Sequence, residues 1–199
     1  MQDALQLVEK LKQKALSLSL SLDENVYTVS KDIIEDEKFR LWSGSSKNHQ
    51  HHYGKGGLIN HTFEVIDLCF IIKHQYPQYS IDSKELFLAA LFHDVGKMYD
   101  YEPLDIHYQE WGSKEHKRMI HHISRSAIIW SENAKKDEII HKNYYENVLH
   151  AILAHHGQRT AGSPVAPKSR VAWLVHLCDN MSARMYDADT WDIIKRPTI

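Results

Sequence analysis

Leu86-Phe87-Leu88-Ala89-Ala90-Leu91-Phe92-His93-Asp94-Val95-Gly96-Lys97 is an apolar run that ends in two metal-ligand side chains, a glycine and a lysine. Leu86, Ala89, Ala90 and His93 fall at i, i+3, i+4 and i+7, which predicts a helix whose buried stripe His93 extends. A carboxylate at Asp94, beside the core, needs a cation or a paired donor to offset a desolvation cost of several kcal/mol. Gly96 is expected to supply the left-handed residue that stops the helix. A His-Asp pair alone reads as a helix-end cap, because so short a motif carries little information. The rest of the chain decides between a cap and a site.

Outward from this run, further stretches set an ionisable ligand on or beside an apolar stripe. His61 begins a stripe continued by Val65, Leu68, Cys69 and Ile72. His122 lies in the first turn of a helix marked by Ile123, Ala127 and Trp130. A helix over Tyr144 to His156 ends in His155-His156, closed by Gly157, and offers imidazoles at an electronegative helix end. Asp179 adjoins the stripe Val171, Leu174, Val175, Cys178 of a helix running to about Tyr186. Helices that each donate about one ligand to a common centre are how helical bundles build metal sites. The expected fold is therefore an all-α bundle with a metal site in its core. We divide the chain into an N-terminal helical arm at 1–45, whose amphipathic helix runs from roughly Ala4 to Ser19, a ligand-bearing domain at 46–190, and a tail at 191–199 that is disordered or docked by Trp191. Ser17 to Leu22 reads equally as helix end or short strand, the acidic run Glu35-Asp36-Glu37 as a solvated face, and Tyr99 to Lys117 as irregular. The loop from Ser43 to Gly57, which includes Lys47, His49, His51, His52 and Lys55, can bring backbone N–H groups and cations to an anion.

Composition narrows the class. The chain has 199 residues, 43% of them hydrophobic, enough for one good-sized core. A formal charge of −2 gives no global basic field, so a nucleic-acid partner must be held by a local patch. The two cysteines lie inside apolar helical patterns, which suits buried thiols in a reducing compartment, and we expect a cytoplasmic protein with no membrane partner. The N-terminus lacks the basic region of a signal peptide. Imidazole and carboxylate donors without thiolate favour one or two divalent ions such as Mn, Fe, Ni, Zn or Mg over structural zinc.

The order His61, His93-Asp94 with Val95-Gly96-Lys97 trailing, and a distant Asp179 resembles the HD superfamily of metal-dependent phosphohydrolases. The stretches His51 to Thr62, His122-Ile123, Ile152 to Gly157, Gly162 to Pro167 and His176 to Met185 are similar to the catalytic domain of YhaM-type 3′→5′ exoribonucleases, and more loosely to relaxase-associated HD domains. The resemblance covers about Lys47 to Tyr186. It implies a helical HD fold and two metals, Mn or Fe favoured, with His61, His93, Asp94 and Asp179 holding one ion and Asp94, His122 and His155 the other. It implies His156 as a ligand or orienter, Asp94 and Lys97 as catalytic groups, and Lys47, His52 and Arg184 as substrate-phosphate or supporting groups. The substrate it implies is a phosphodiester of single-stranded nucleic acid or a nucleotide. A helical arm stands where those exoribonucleases carry an OB-fold module, and Asn60 where an acidic residue is common, so the chemistry transfers further than the RNA substrate. The alternatives are a nucleotide phosphohydrolase, a di-iron oxygenase on the same fold, and a regulatory domain that binds metal or nucleotide without turnover.

Overall fold

In a computed structural model of the chain, residues 2–48 and 50–195 are described, with side chains over 5–48 and 50–185. His49 and residues 196–199 therefore lie outside the described residues, while residues 191–195, expected as part of a tail, continue the last helix. The elements are α1 Gln2–Leu22, α2 Glu24–Glu35, α3 Glu37–Leu41, α4 Gly57–Gln75, α5 Ser83–Phe92, α6 Lys97–Asp100, β1 Tyr101–Pro103, β2 Trp111–Ser113, α7 His116–Met119, α8 His121–Ala134, α9 Glu138–Ala154 and α10 Arg170–Lys195. The fold is all-α apart from one small hairpin. Among the described residues no helix is long and apolar enough to cross a membrane.

Local chemistry sets many of the boundaries. Aspartates cap four helices by accepting from first-turn amides: Asp23 from Asn25, Asp36 from Lys38 and Phe39, Asp82 from Lys84 and Glu85, and Asp137 from Ile140. Asp36 is thus a capping residue inside the acidic run, while Glu35 and Glu37 are exposed. The stretch Ser17 to Leu22 resolves as helix.

α5 is the centre of the molecule. Every residue from Leu86 to Phe92 is fully buried, so this helix is apolar all round and has no wet face. It packs against α1, α2, α4, α8, α9 and α10. The first 45 residues do not stand off as an arm. Val8, Ala15, Val26, Val29, Ile34 and Phe39 join the same hydrophobic core, because the inner faces of α1 to α3 need the apolar surface that α4 and α5 present.

The stretch after Lys97, expected as irregular, folds into the antiparallel hairpin β1–β2 with Tyr101 opposite Ser113 and Pro103 opposite Trp111. Its loop is organised by Asp105, which accepts from the amides of His107, Gln109 and Glu110. Trp42 donates its indole N–H to the Tyr101 carbonyl and packs edge-on to Trp111, which ties the hairpin to α3. Gly96 is also not left-handed, since its φ is −62°. A glycine is needed there for space: a Cβ would sit 2.2 Å from the His122 carbonyl oxygen. Gly157 does close the α9 segment at φ +87°, and a Cβ there would collide with the His176 ring.

Candidate metal centre

His93 continues the α5 geometry and is wholly buried, so its imidazole enters the core. Its Nδ1–H donates to the Ala90 carbonyl at 2.7 Å, which leaves the Nε2 lone pair facing inward. The same rule holds at other positions. His155 donates from Nδ1 to the Ile152 carbonyl at 2.7 Å, His156 to the Ala161 carbonyl at 3.1 Å, and His122 to the Asp100 carboxylate at 3.1 Å. On α4, His61 Nδ1 lies 3.0 Å from the Ser182 hydroxyl, and that hydroxyl donates onward to Glu64 at 2.9 Å, so it accepts from the imidazole. Partners on Nδ1 that fix the ring and leave Nε2 free are what metal-binding histidines require.

Four of the Nε2 atoms gather around Asp94 and Asp179, and that of His156 faces His122. Asp94 Oδ2 lies 3.2 Å from His61 Nε2 and 3.5 Å from His93 Nε2; its Oδ1 lies 3.4 Å from His122 Nε2 and 3.6 Å from His155 Nε2. Asp179 Oδ1 is 3.1 Å from His61 Nε2. Two nitrogen pairs face one another, His61 with His93 at 3.4 Å and His122 with His156 at 3.3 Å. Lone pairs at that range repel unless a proton or a metal lies between them. Asp94 Oδ1 and His155 Nε2 are buried without a hydrogen-bond partner, a cost that a cation would remove. His61, His93, Asp94 and Asp179 offer atoms within 4.8 Å of one another, as do His122, His155 and His156, and the residues present fit divalent metal. Asp94 stands between the groups with one oxygen toward each. The second group includes His156, and the described residues also bring Asp100, His121 and His122 together.

Electrostatics agrees with this geometry. Burial pushes the His122 imidazole down to about 4 and His156 down to about 3, so both are neutral near pH 7 and able to ligate. At His61 burial works downward, but the Asp179 and Asp94 carboxylates, which accept from the ring when it is protonated, outweigh it and hold the pKa up. Carboxylates that favour a proton there favour a cation equally. Asp94 and Asp179 are held below the ordinary carboxylate range: burial opposes this, and Lys97 and His93 outweigh it at Asp94, His61 and His93 at Asp179.

The remaining residues singled out in the sequence are dispersed. Lys97 is buried with Nζ 2.6 Å from Asp94 Oδ2, a counter-charge to the bridging carboxylate that also lines the cavity over the ligands. Arg184 lines that cavity, of about 420 Å³, and forms no ion pair among the described residues. Lys47 is exposed and does not line it. His52 is a correction: it is buried, its Nε2 lies 2.9 Å from Glu64, and burial holds its pKa near 3, so it has no charge to offer a phosphate.

Sequence reasoning passed over Asp100 and what stands behind it. Asp100 is fully buried and accepts from His122 Nδ1, from the His122 amide at 3.1 Å and from His116 Nδ1 at 2.7 Å. Arg125 in turn donates Nε–H to His116 Nε2 at 3.1 Å. The available signal was a carboxylate three residues after Lys97, in a segment starting from the core.

The HD domain family matches residues 58–184, well over half of the chain. The protein belongs to the HD domain family, a helical fold associated with divalent-metal-dependent phosphohydrolase chemistry. No solved structure matches the chain.

Proposed function

We propose that this protein is a divalent-metal-dependent phosphodiesterase that hydrolyses the phosphodiester bond of a nucleotide or of single-stranded nucleic acid. The observation that carries the reading is the convergence of four imidazole Nε2 atoms on Asp94 and Asp179, with His156 beside His122, each ring held by a partner on Nδ1. Residues His61, His93, Asp94 and Asp179 would hold one ion, and His122, His155 and His156, with the second Asp94 oxygen, another. Bound divalent ions supply Lewis acidity toward phosphate oxygens and a water of lowered pKa. Imidazole and carboxylate donors without thiolate favour manganese or iron in that role.

The protein's own groups do the rest. Lys97 keeps Asp94 ionised and leaves Oδ1 free to face the second group. Asp100 holds the proton on His122 Nδ1, so that Nε2 stays a lone-pair donor throughout turnover. Ser182, fixed by Glu64, does the same for His61. Arg184, whose charge no carboxylate among the described residues pairs, gives the cavity wall positive charge that attracts and orients a phosphate. The cavity volume, of the size that takes a small ligand, supports a second reading as a nucleotide phosphohydrolase.

Both readings are tested by turnover with added Mn or Fe on bis(p-nitrophenyl) phosphate, single-stranded RNA, single-stranded DNA, cyclic dinucleotides and nucleoside triphosphates. Cleavage of at least one phosphodiester, abolished by chelator, is expected. Release of phosphate from nucleotides alone would favour the second reading, and iron-dependent oxygen uptake without hydrolysis would overturn both.

A further inference from the structure

Lys117 stands apart from the ligand cluster but lines the same cavity, together with Lys97, His122, His156 and Asp179. Its Nζ lies 3.4 Å from the Tyr101 hydroxyl and 3.5 Å from the Ser46 hydroxyl, and 4.8 Å from the centroid of the Tyr101 ring. Both hydroxyl distances are at the outer limit of hydrogen bonding, and among the described residues no carboxylate oxygen comes within ion-pair distance of it. Lys97, by contrast, is neutralised by Asp94 at 2.6 Å. Lys117 is thus a half-buried ammonium with neutral partners, on the side of the cavity that Gly44, Ser45 and Tyr101 form. A desolvated cation in such a place is costly until an anion meets it.

The surroundings are arranged for that anion. The segment before Ser46 is held by hydrogen bonds: the buried Ser43 hydroxyl donates to the Ser45 carbonyl at 2.6 Å and accepts from the amides of Ser45 and Gly54. The Tyr101 ring, locked by its strand, supports the lysine stem and the charge above it. Burial draws the Lys117 pKa down; Asp100 works against this, while Lys97 and Lys47 are near enough to lower it further. A mobile exposed lysine would have none of these constraints.

We propose that Lys117 binds a second, non-reacting phosphate of the substrate, so that the site selects phosphodiesters that carry a further phosphoryl group, such as the 5′-phosphorylated end of an oligonucleotide. The inference rests on the phosphodiesterase reading for the position of the reacting phosphate, beside the imidazole cluster and Lys97. The second phosphate then lies toward Tyr101 and Ser46. Lys117 acts here as a specificity residue, in direct contact with the ligand, with no part in bond breaking.

The test is binding by isothermal titration calorimetry at fixed ionic strength, on the full chain loaded with manganese. The ligands are adenosine 5′-monophosphate, adenosine 3′,5′-bisphosphate and the dinucleotide pApA with a hydrolysis-resistant phosphorothioate linkage; the proteins are wild type, Lys117→Gln and Lys117→Arg. Wild type is expected to bind the two-phosphate ligands at least tenfold more tightly than the monophosphate. Lys117→Gln should erase that ratio, and Lys117→Arg should keep most of it. A ratio unchanged in Lys117→Gln, or absent in wild type, overturns the proposal. Preference for pApA over the bisphosphate, which holds no phosphodiester, is expected, and the reverse preference overturns the placement of the second phosphate. Turnover separates this from the function itself. A Lys117-dependent ratio in a protein that hydrolyses no phosphodiester supports the subsite and removes the phosphodiesterase reading, whereas hydrolysis without the ratio does the opposite.

Discussion

Replacing Asp100 by asparagine keeps the shape of the side chain and removes one acceptor and one negative charge. The carboxylate accepts from three donors, His116 Nδ1, His122 Nδ1 and the His122 amide, at 2.7 to 3.1 Å. Arg125 holds His116 in the tautomer that donates from Nδ1, so an asparagine amide turned that way meets a donor with a donor. Turned the other way, it faces two donors of His122. Either orientation leaves a buried donor unsatisfied, at about 2 kcal/mol. For a chain of this length that corresponds to a fall in Tm of roughly 4 to 8 °C. The loss of support for His122 should also weaken metal binding by about 10- to 100-fold. Scanning calorimetry on chelated protein measures the first, and competition against a chelator of known affinity the second. A variant with wild-type Tm and wild-type metal affinity would refute the idea that Asp100 holds His122 in place.

Gly96→Ala sets a Cβ 2.2 Å from the His122 carbonyl oxygen, so the backbone carrying His122 must move; destabilisation of about 1 to 3 kcal/mol with weakened metal binding is expected in denaturant titrations and metal competition, and an unchanged midpoint would show that the two segments separate freely. His150, whose Nε2 accepts from the Lys168 amide at 2.9 Å, has its pKa lowered by burial. Because the folded value lies below the unfolded one, near 6.5, the unfolded chain takes the proton first, and stability is lost as pH falls below about 6.5. His150→Gln should flatten that part of the stability profile, and an identical slope in the variant would place the acid sensitivity elsewhere.

Much of the centre was legible in the sequence because burying an imidazole or carboxylate on an apolar helix is costly, so His61, His93, Asp94, His122, His155 and Asp179 each stood out against their own stripe. Packing of the first 45 residues was not legible: an amphipathic face shows that a helix is covered, and not by what, and Val8 reaches as far as Gly56 to find its place. The hairpin escaped notice because it is held by Trp42, 59 positions before Tyr101, and by an aspartate-centred loop, neither of which leaves a period in the sequence. Gly96 was misread for a related reason. Its need is set by the approach of His122 from another helix, and a local rule for helix ends cannot register that. Lys117 and Asp100 lay in the same aperiodic stretch, where the meaning of a charge comes only from what the fold brings beside it.

The central claim is that Asp94 holds two ligand groups together around divalent metal. Elemental analysis of the purified protein after Mn or Fe supplementation, wild type beside Asp94→Asn, tests it most directly, because an amide lacks the negative charge that keeps two cations close. Two ions per chain in wild type, with both lost or sharply reduced in Asp94→Asn, is the expected result. Wild type without metal, or Asp94→Asn with its full complement, would contradict the account.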